Sequence, residues 1–235
     1  MDYSSRTTSE QSANAIRRPA ASLDYAFADP VKRVLRNTYA LLSMTLLFSA
    51  AVASTAVVFQ WPSPGIIFTL VGYFGLLFAI HKLQNSAWAL PAVFALTGFM
   101  GYTLGPLLTH TLALPGGAQT VSLALAATGI TFMTLSAYVL ITRRDFSFMG
   151  GFLFCGMVIA LIAGIAGIVF EIPGLGLVVS GMVALISAGL ILFETSRIVN
   201  GGEHNYVLAT VSLYVSVFNL FTSLLSLFGL GGNNE

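Results

Sequence analysis

Seven stretches of mainly apolar residues occupy most of this chain, and each is long enough to cross a bilayer. A helical span needs about 20 such residues, because the hydrocarbon core is about 30 Å thick. The stretches run over 39–60, 64–81, 87–109, 119–142, 148–170, 175–196 and 206–229. Between them stand residues that stop helices or require water. These are Trp61-Pro62-Ser63-Pro64-Gly65, Lys82-Leu83-Gln84-Asn85-Ser86, Pro115-Gly116-Gly117, Arg143-Arg144-Asp145, Glu171-Ile172-Pro173-Gly174 and Asn200-Gly201-Gly202-Glu203-His204-Asn205. Of 235 residues, 56% are hydrophobic and 8% are charged, and the mean hydropathy is +0.86. A soluble domain carries about 25% charged residues. The composition therefore excludes an ordinary soluble domain and predicts an all-α membrane protein, a bundle of seven transmembrane helices.

The basic residues orient the bundle. Arg6, Arg17, Arg18, Lys32, Arg33 and Arg36 precede the first stretch. Lys82 stands in the second connection, Arg143 and Arg144 in the fourth, and Arg197 at the start of the sixth. The odd-numbered connections and the C-terminus hold none. All ten basic residues thus fall on one side, which the positive-inside rule makes cytoplasmic. One span more or fewer would scatter them. The N-terminus is expected in the cytoplasm and the C-terminus on the far side. Residues 1–37 read as a polar and basic cytosolic tail, largely disordered over 1–28. Residues 38–230 read as the transmembrane domain, and 231–235 as a short C-terminal tail. Asp29-Pro30 resembles a helix start that leads a short basic segment into the first span. Trp61 and Trp88 sit near span ends, where aromatic belts form.

Most reactive chemistry is disfavoured. A net charge of +1 argues against a nucleic-acid surface. His81, His110 and His204 lie far apart, with no HExxH or CxxC spacing, so no metal site is expected. Cys155 is expected to be a small buried residue. No GxSxG nucleophile or Gly-rich phosphate loop is present, so no enzyme and no cofactor is expected. No Lys follows Lys82, so the last span has no amine for a retinal Schiff base.

Polar and small residues mark what faces the bundle interior, because membrane helices pack through small side chains and interhelical hydrogen bonds. In the third span Gly98, Gly101 and Gly105 share a face, and Pro106 predicts a kink or break. Two readings stand here, close packing and a hinge beside a cavity. In the seventh span Ser212, Ser216, Asn219, Ser223 and Ser226 recur at steps of four and three, which is one helix face. In the sixth span Ser180, Ala184, Ser187, Ile191 and Glu194 do the same. Here the choice is between helix–helix glue and the wall of a hydrated ion path. Glu194 is the one carboxylate clearly inside a span, about a turn from its cytoplasmic end. Its alternatives are an interfacial salt bridge with Arg197 and a buried acid beside Ser212 and Ser216. His81 reads as interfacial.

These residues also resemble a known family. Phe193-Glu194-Thr195-Ser196, the Gly-Gly-Glu-His-Asn-Tyr loop at 201–206 and Ala209-Thr210-Val211-Ser212-Leu213-Tyr214-Val215-Ser216 are similar to the end of the Bax inhibitor-1 family. So are Gly98-Phe99-Met100-Gly101-Tyr102 and Gly105-Pro106-Leu107-Leu108. Arg36-Asn37-Thr38-Tyr39 and the Pro-Ser-Pro-Gly turn at 62–65 resemble a bacterial subgroup of it. The resemblance extends from about residue 33 to 229. It implies a multi-pass protein of the bacterial inner membrane with a periplasmic C-terminus. It implies a central, hairpin-like helix surrounded by the others. Two activities follow by resemblance. One is negative modulation of the membrane-bound AAA+ protease FtsH, which works with HflK and HflC, the chain being itself a substrate through its N-terminal tail. The other is a pH-sensitive leak for Ca2+ or H+ gated near Glu194. In leak-forming relatives a pair of acids from the sixth and seventh spans forms the sensor. Glu194 matches the first, but Ser216 stands at the second and cannot ionise.

Overall fold

The computed structural model describes residues 29–231, so the expected disorder of residues 1–28 lies outside the described residues. Seven long helices follow one another: α1 Asp29–Val58, α2 Ile66–Leu83, α3 Ala89–Ala113, α4 Gly117–Thr142, α5 Gly150–Val169, α6 Leu175–Val199 and α7 Tyr206–Gly231. A single 3-10 turn, Ser147–Met149, leads into α5. All seven helices are long and apolar enough to span a membrane. Helices suit that solvent because they satisfy their own backbone groups, which lipid cannot do.

α7 is the axis of the bundle. Half of its apolar window is buried, against 6% for α2 and 11% for α5. It touches α1, α3, α4 and α6, whereas α2 packs on α3 and α5 packs on α6. The central helix implied by the resemblance is therefore α7, but it is one unbroken helix rather than a hairpin. In its third turn Tyr214 is fully buried and donates to Ser49 Oγ of α1 at 2.6 Å, with the Thr97 carbonyl of α3 at 3.3 Å.

Large exposed side chains such as Ile67, Phe78, Phe152 and Ile162 cover α2 and α5. In lipid such a surface incurs no hydration penalty. Cys155 belongs to it. The thiol is exposed on α5 rather than buried, because α5 meets the bundle mainly along α6 and turns its other faces outward.

One further local feature is as expected, the helix start at Asp29-Pro30, and one differs, the break expected at Pro106. α1 starts at Asp29, so Lys32, Arg33 and Arg36 ride on its first two turns, continuous with the span. α3 runs unbroken through Pro106. The proline removes one backbone donor, but the helix is held before it by the close seam with α1 at Gly101 and Gly105, and after it by Leu107 and Leu108, which pack on Ala53, Ala124, Phe221 and Leu225.

The loops at the basic end are cross-tied. Ser196 Oγ on α6 accepts from Phe146 N–H at 2.9 Å and donates to the Arg144 carbonyl at 3.2 Å. Asn205 Nδ2 donates to the Gln84 carbonyl at 3.3 Å. The sixth connection is thus joined to the second, and the end of α6 to the fourth. At the opposite end Tyr102 OH donates to the Pro62 carbonyl at 2.8 Å, and Trp61 packs edge-on against Tyr102.

Candidate functional site

Glu194 lies five residues before the end of α6, among Ile191, Thr195 and Ser196, all fully buried. It is itself only 7% exposed. α6 brings it there because the small stripe Ala184, Ser187 and Ile191 seats one face of the helix against the bundle. A carboxylate at such a place needs a donor or a counter-charge. Arg197, one turn later, supplies both: its Nη1 lies 3.4 Å from Glu194 Oε2. Its Nη2 lies 3.0 Å from Glu203 Oε2. One guanidinium therefore bridges two carboxylates, one on α6 and one in the sixth connection. Its face also lies 5.6 Å from the centre of the Phe193 ring.

Glu203 was not among the residues singled out from sequence. It stands six residues beyond Arg197, across the end of the helix, where α-helical periodicity no longer tells which side chains meet. Its signal was the Gly201-Gly202 pair. Gly201 has φ 73°, a left-handed turn that folds the loop back over Arg197. Glu203 Oε1 also accepts from Asn205 N–H at 2.9 Å. Asn205 Oδ1 in turn accepts from Val207 N–H at 2.9 Å, an N-cap for α7.

The serines of α7 are placed differently. Ser216 is buried, yet its hydroxyl donates to the Ser212 carbonyl of its own helix at 2.9 Å. Ser212 and Asn219 are half-buried, and the Asn219 carbonyl accepts from Thr222. Ser226 bonds back to the Thr222 carbonyl at 2.9 Å. Ser216 and Ser226 of the stripe thus bond back along their own helix, while Glu194 is engaged by Arg197. Ser187 and Thr195 on α6, Ser136 on α4, and Thr38 and Tyr39 on α1 keep buried hydroxyl oxygens with no partner.

On α3 the glycines face α1. A β-carbon on Gly101 would come within 2.5 Å of the Ser49 carbonyl oxygen, and one on Gly105 within 2.5 Å of Ala56 Cβ. Gly98 faces the Phe48 ring, at 2.9 Å. Pro106 follows on the same helix. Among the described residues no three His, Cys, Asp or Glu side chains converge as a metal site would require. Two surface hollows, one beside Pro64–Val71 and one between Pro115–Leu123 and Leu227–Phe228, lie at the other end of the bundle from Glu194. Asp145, in the fourth connection, has its carboxyl held below the ordinary range by the Ser147 hydroxyl and backbone N–H, the latter at 2.8 Å.

These features define a multi-pass helical membrane protein, four helices around a central one and two more outside them, with a charged clasp over the basic end. A sequence profile described as "Inhibitor of apoptosis-promoting Bax1" matches residues 31–234, and the chain belongs to that family. It is 50% identical to an Escherichia coli K12 protein named "Modulator of FtsH protease YccA", over 86% of this chain and 92% of that protein. An equally similar protein of Escherichia coli O6:H1 is named "Inner membrane protein YccA". An uncharacterized Pseudomonas aeruginosa protein is 49% identical over 87% of this chain and 92% of its own length. The chain is a multi-pass inner-membrane protein.

Proposed function

We propose that this chain is a non-enzymatic, membrane-embedded modulator of FtsH, restraining the protease while being its substrate through the N-terminal tail. The observation that carries this reading is the half-identity to the Escherichia coli modulator, which extends over nearly all of that protein. The placement of charge supports it. All ten Lys and Arg fall before α1, in its first turns, or at the ends of α2, α4 and α6, so the N-terminus is assigned to the cytoplasm and the C-terminus to the periplasm. Residues 1–37 would be the cytosolic handle, 38–230 the membrane domain and 231–235 a periplasmic tail. An ATP-driven protease pulls from an end, and a bundle threaded on a buried central helix resists being pulled apart. HflK and HflC are the expected partners of the complex. Deleting residues 2–28 tests the proposal, with turnover followed in cells with and without FtsH. The truncated chain should persist longer only where FtsH is present. Turnover and inhibition of the protease that both stay unchanged would overturn it.

A second reading rests on Glu194. A near-buried acid with unpartnered hydroxyls nearby on its own helix is what a gated path for Ca2+ or H+ would need. In this reading Glu194 and Arg197 form the gate, with Ser212, Ser216 and Asn219 lining the path. Ser216 in place of a second acid weakens it. Liposomes holding the purified chain should leak Ca2+ in a pH-dependent way that Glu194→Gln abolishes. Flux no greater than in protein-free liposomes at every pH sinks it.

A further inference from the structure

We infer that ordered water occupies a closed interior site in the basic half of the bundle, held by Tyr39 of α1, Ser136 of α4 and Thr195 of α6. α1 and α4 each pack on α7 but not along one another. Tyr39 nevertheless reaches the Phe132 ring of α4, with ring centres 5.9 Å apart, and its hydroxyl is buried. Its side chain therefore runs inward among the helices around α7. Phe132 shares an apolar cluster with Leu46 of α1, Ile191 of α6 and Val217 of α7. Ser136 and Thr195 each stand four residues beyond a member of that cluster, one turn or about 6 Å nearer the basic end. Both are buried, at 3% and 0% exposure. Hydroxyls from three helices thus come to one level beside a single apolar layer.

Hydrogen bonding sets these hydroxyls apart. Many others in the bundle bond back to the preceding turn; on α4, Thr128 and Thr142 do so at 2.7 Å each. Tyr39 OH, Ser136 Oγ and Thr195 Oγ1 have no partner among the described residues, and neither does Thr38 Oγ1 beside them on α1. A hydroxyl buried in that way loses hydration with no compensating bond. Buried water makes about three hydrogen bonds to such groups, which is what three converging hydroxyls offer. A divalent cation fits less well, since it wants anionic oxygens and the adjacent carboxylate, Glu194, is engaged by Arg197. The water is held whether or not ions cross the membrane, so the site does not depend on the leak reading.

Radiolytic hydroxyl-radical footprinting of the full chain in detergent tests this, because radicals formed from a bound water label the side chain next to it. Tyr39 should be labelled faster than Tyr214, a fully buried tyrosine whose hydroxyl already donates to Ser49. Ser136→Ala and Thr195→Val should each lower the labelling of Tyr39 about fivefold, the effect of one lost hydrogen bond on the binding of the water. A scavenger confined to bulk water should suppress labelling of Tyr138, exposed on α4, and spare Tyr39. Labelling of Tyr39 no faster than that of Tyr214 would overturn the inference. So would labelling that the scavenger suppresses, or that both substitutions leave unchanged, since either would trace it to bulk water.

Discussion

Gly101 has no room for a methyl group. Its nearest neighbour is backbone, the Ser49 carbonyl, which cannot swing aside. Gly101→Ala should therefore lower stability by about 1–3 kcal/mol through overpacking. Gly98→Ala should do less harm, because the Phe48 ring can rotate away. Thermal unfolding of the two purified variants in detergent checks the order. Arg197 is the second sensitive residue. Arg197→Ala leaves Glu194 without its counter-charge at a nearly buried position and frees Glu203. The loss should be about 1.5–3 kcal/mol, the range for hydrogen bonds to charged groups. Glu203→Gln should lose less, since Glu194 keeps its partner. At Asp145 the sign of the pH effect is set by its lowered folded pKa. Its stabilisation of the turn into α5 is complete above the unfolded value and is lost as pH falls through the folded one. Exchange of the Ser147 amide should accelerate only on strong acidification, below the ordinary 3.8.

At the scale of elements, α7 is held at its first turn and again at its third. Asn205 caps its first turn and reaches Gln84, so Asn205→Ala removes both a cap and a tie between loops. A cap alone contributes about 1 kcal/mol. Hydrogen exchange should rise in the first turn of α7 and in the second connection together, whereas a simple cap loss would affect α7 alone. Tyr214→Phe strips the bond to Ser49 from the centre and should lower the unfolding temperature without changing the fold. The helices themselves were legible because length and apolarity alone define them in lipid. The course of α3 through Pro106 was not. Local chemistry argues for a break there, and the seam with α1 before the proline and the packing of Leu107 and Leu108 after it oppose it. Cys155 was misread for a related reason, since apolar flanks mean buried in a soluble core but either buried or lipid-facing in a membrane. Glu194 with Arg197 was legible from i, i+3 spacing; Glu203 was not, because it meets Arg197 around a turn.

For the whole molecule, charge placement determines the assigned orientation. A reporter that is active only in the periplasm, fused after Glu235, should be active, and the same reporter fused after Arg144 should be silent. The reverse pattern would invert the bundle and separate the N-terminal segment from any cytoplasmic protease. The arrangement of four helices around α7, with α2 and α5 outside them, also ranks the helices by how readily they leave. α2 and α5, each packed mainly on a single neighbour, should loosen before α7 does.

The length of α1 has a mechanical consequence. Thirty residues make a rod about 45 Å long, against a hydrocarbon slab of about 30 Å. Its first turns and its contact with Gly101 belong to one rigid body with no compliant joint between. A tug on the segment before Asp29 would thus arrive undamped at a close seam, where α1 and α3 touch backbone to backbone. Under load that seam would act as the fuse: it either holds, and the pull stalls, or it slips and releases α1 whole.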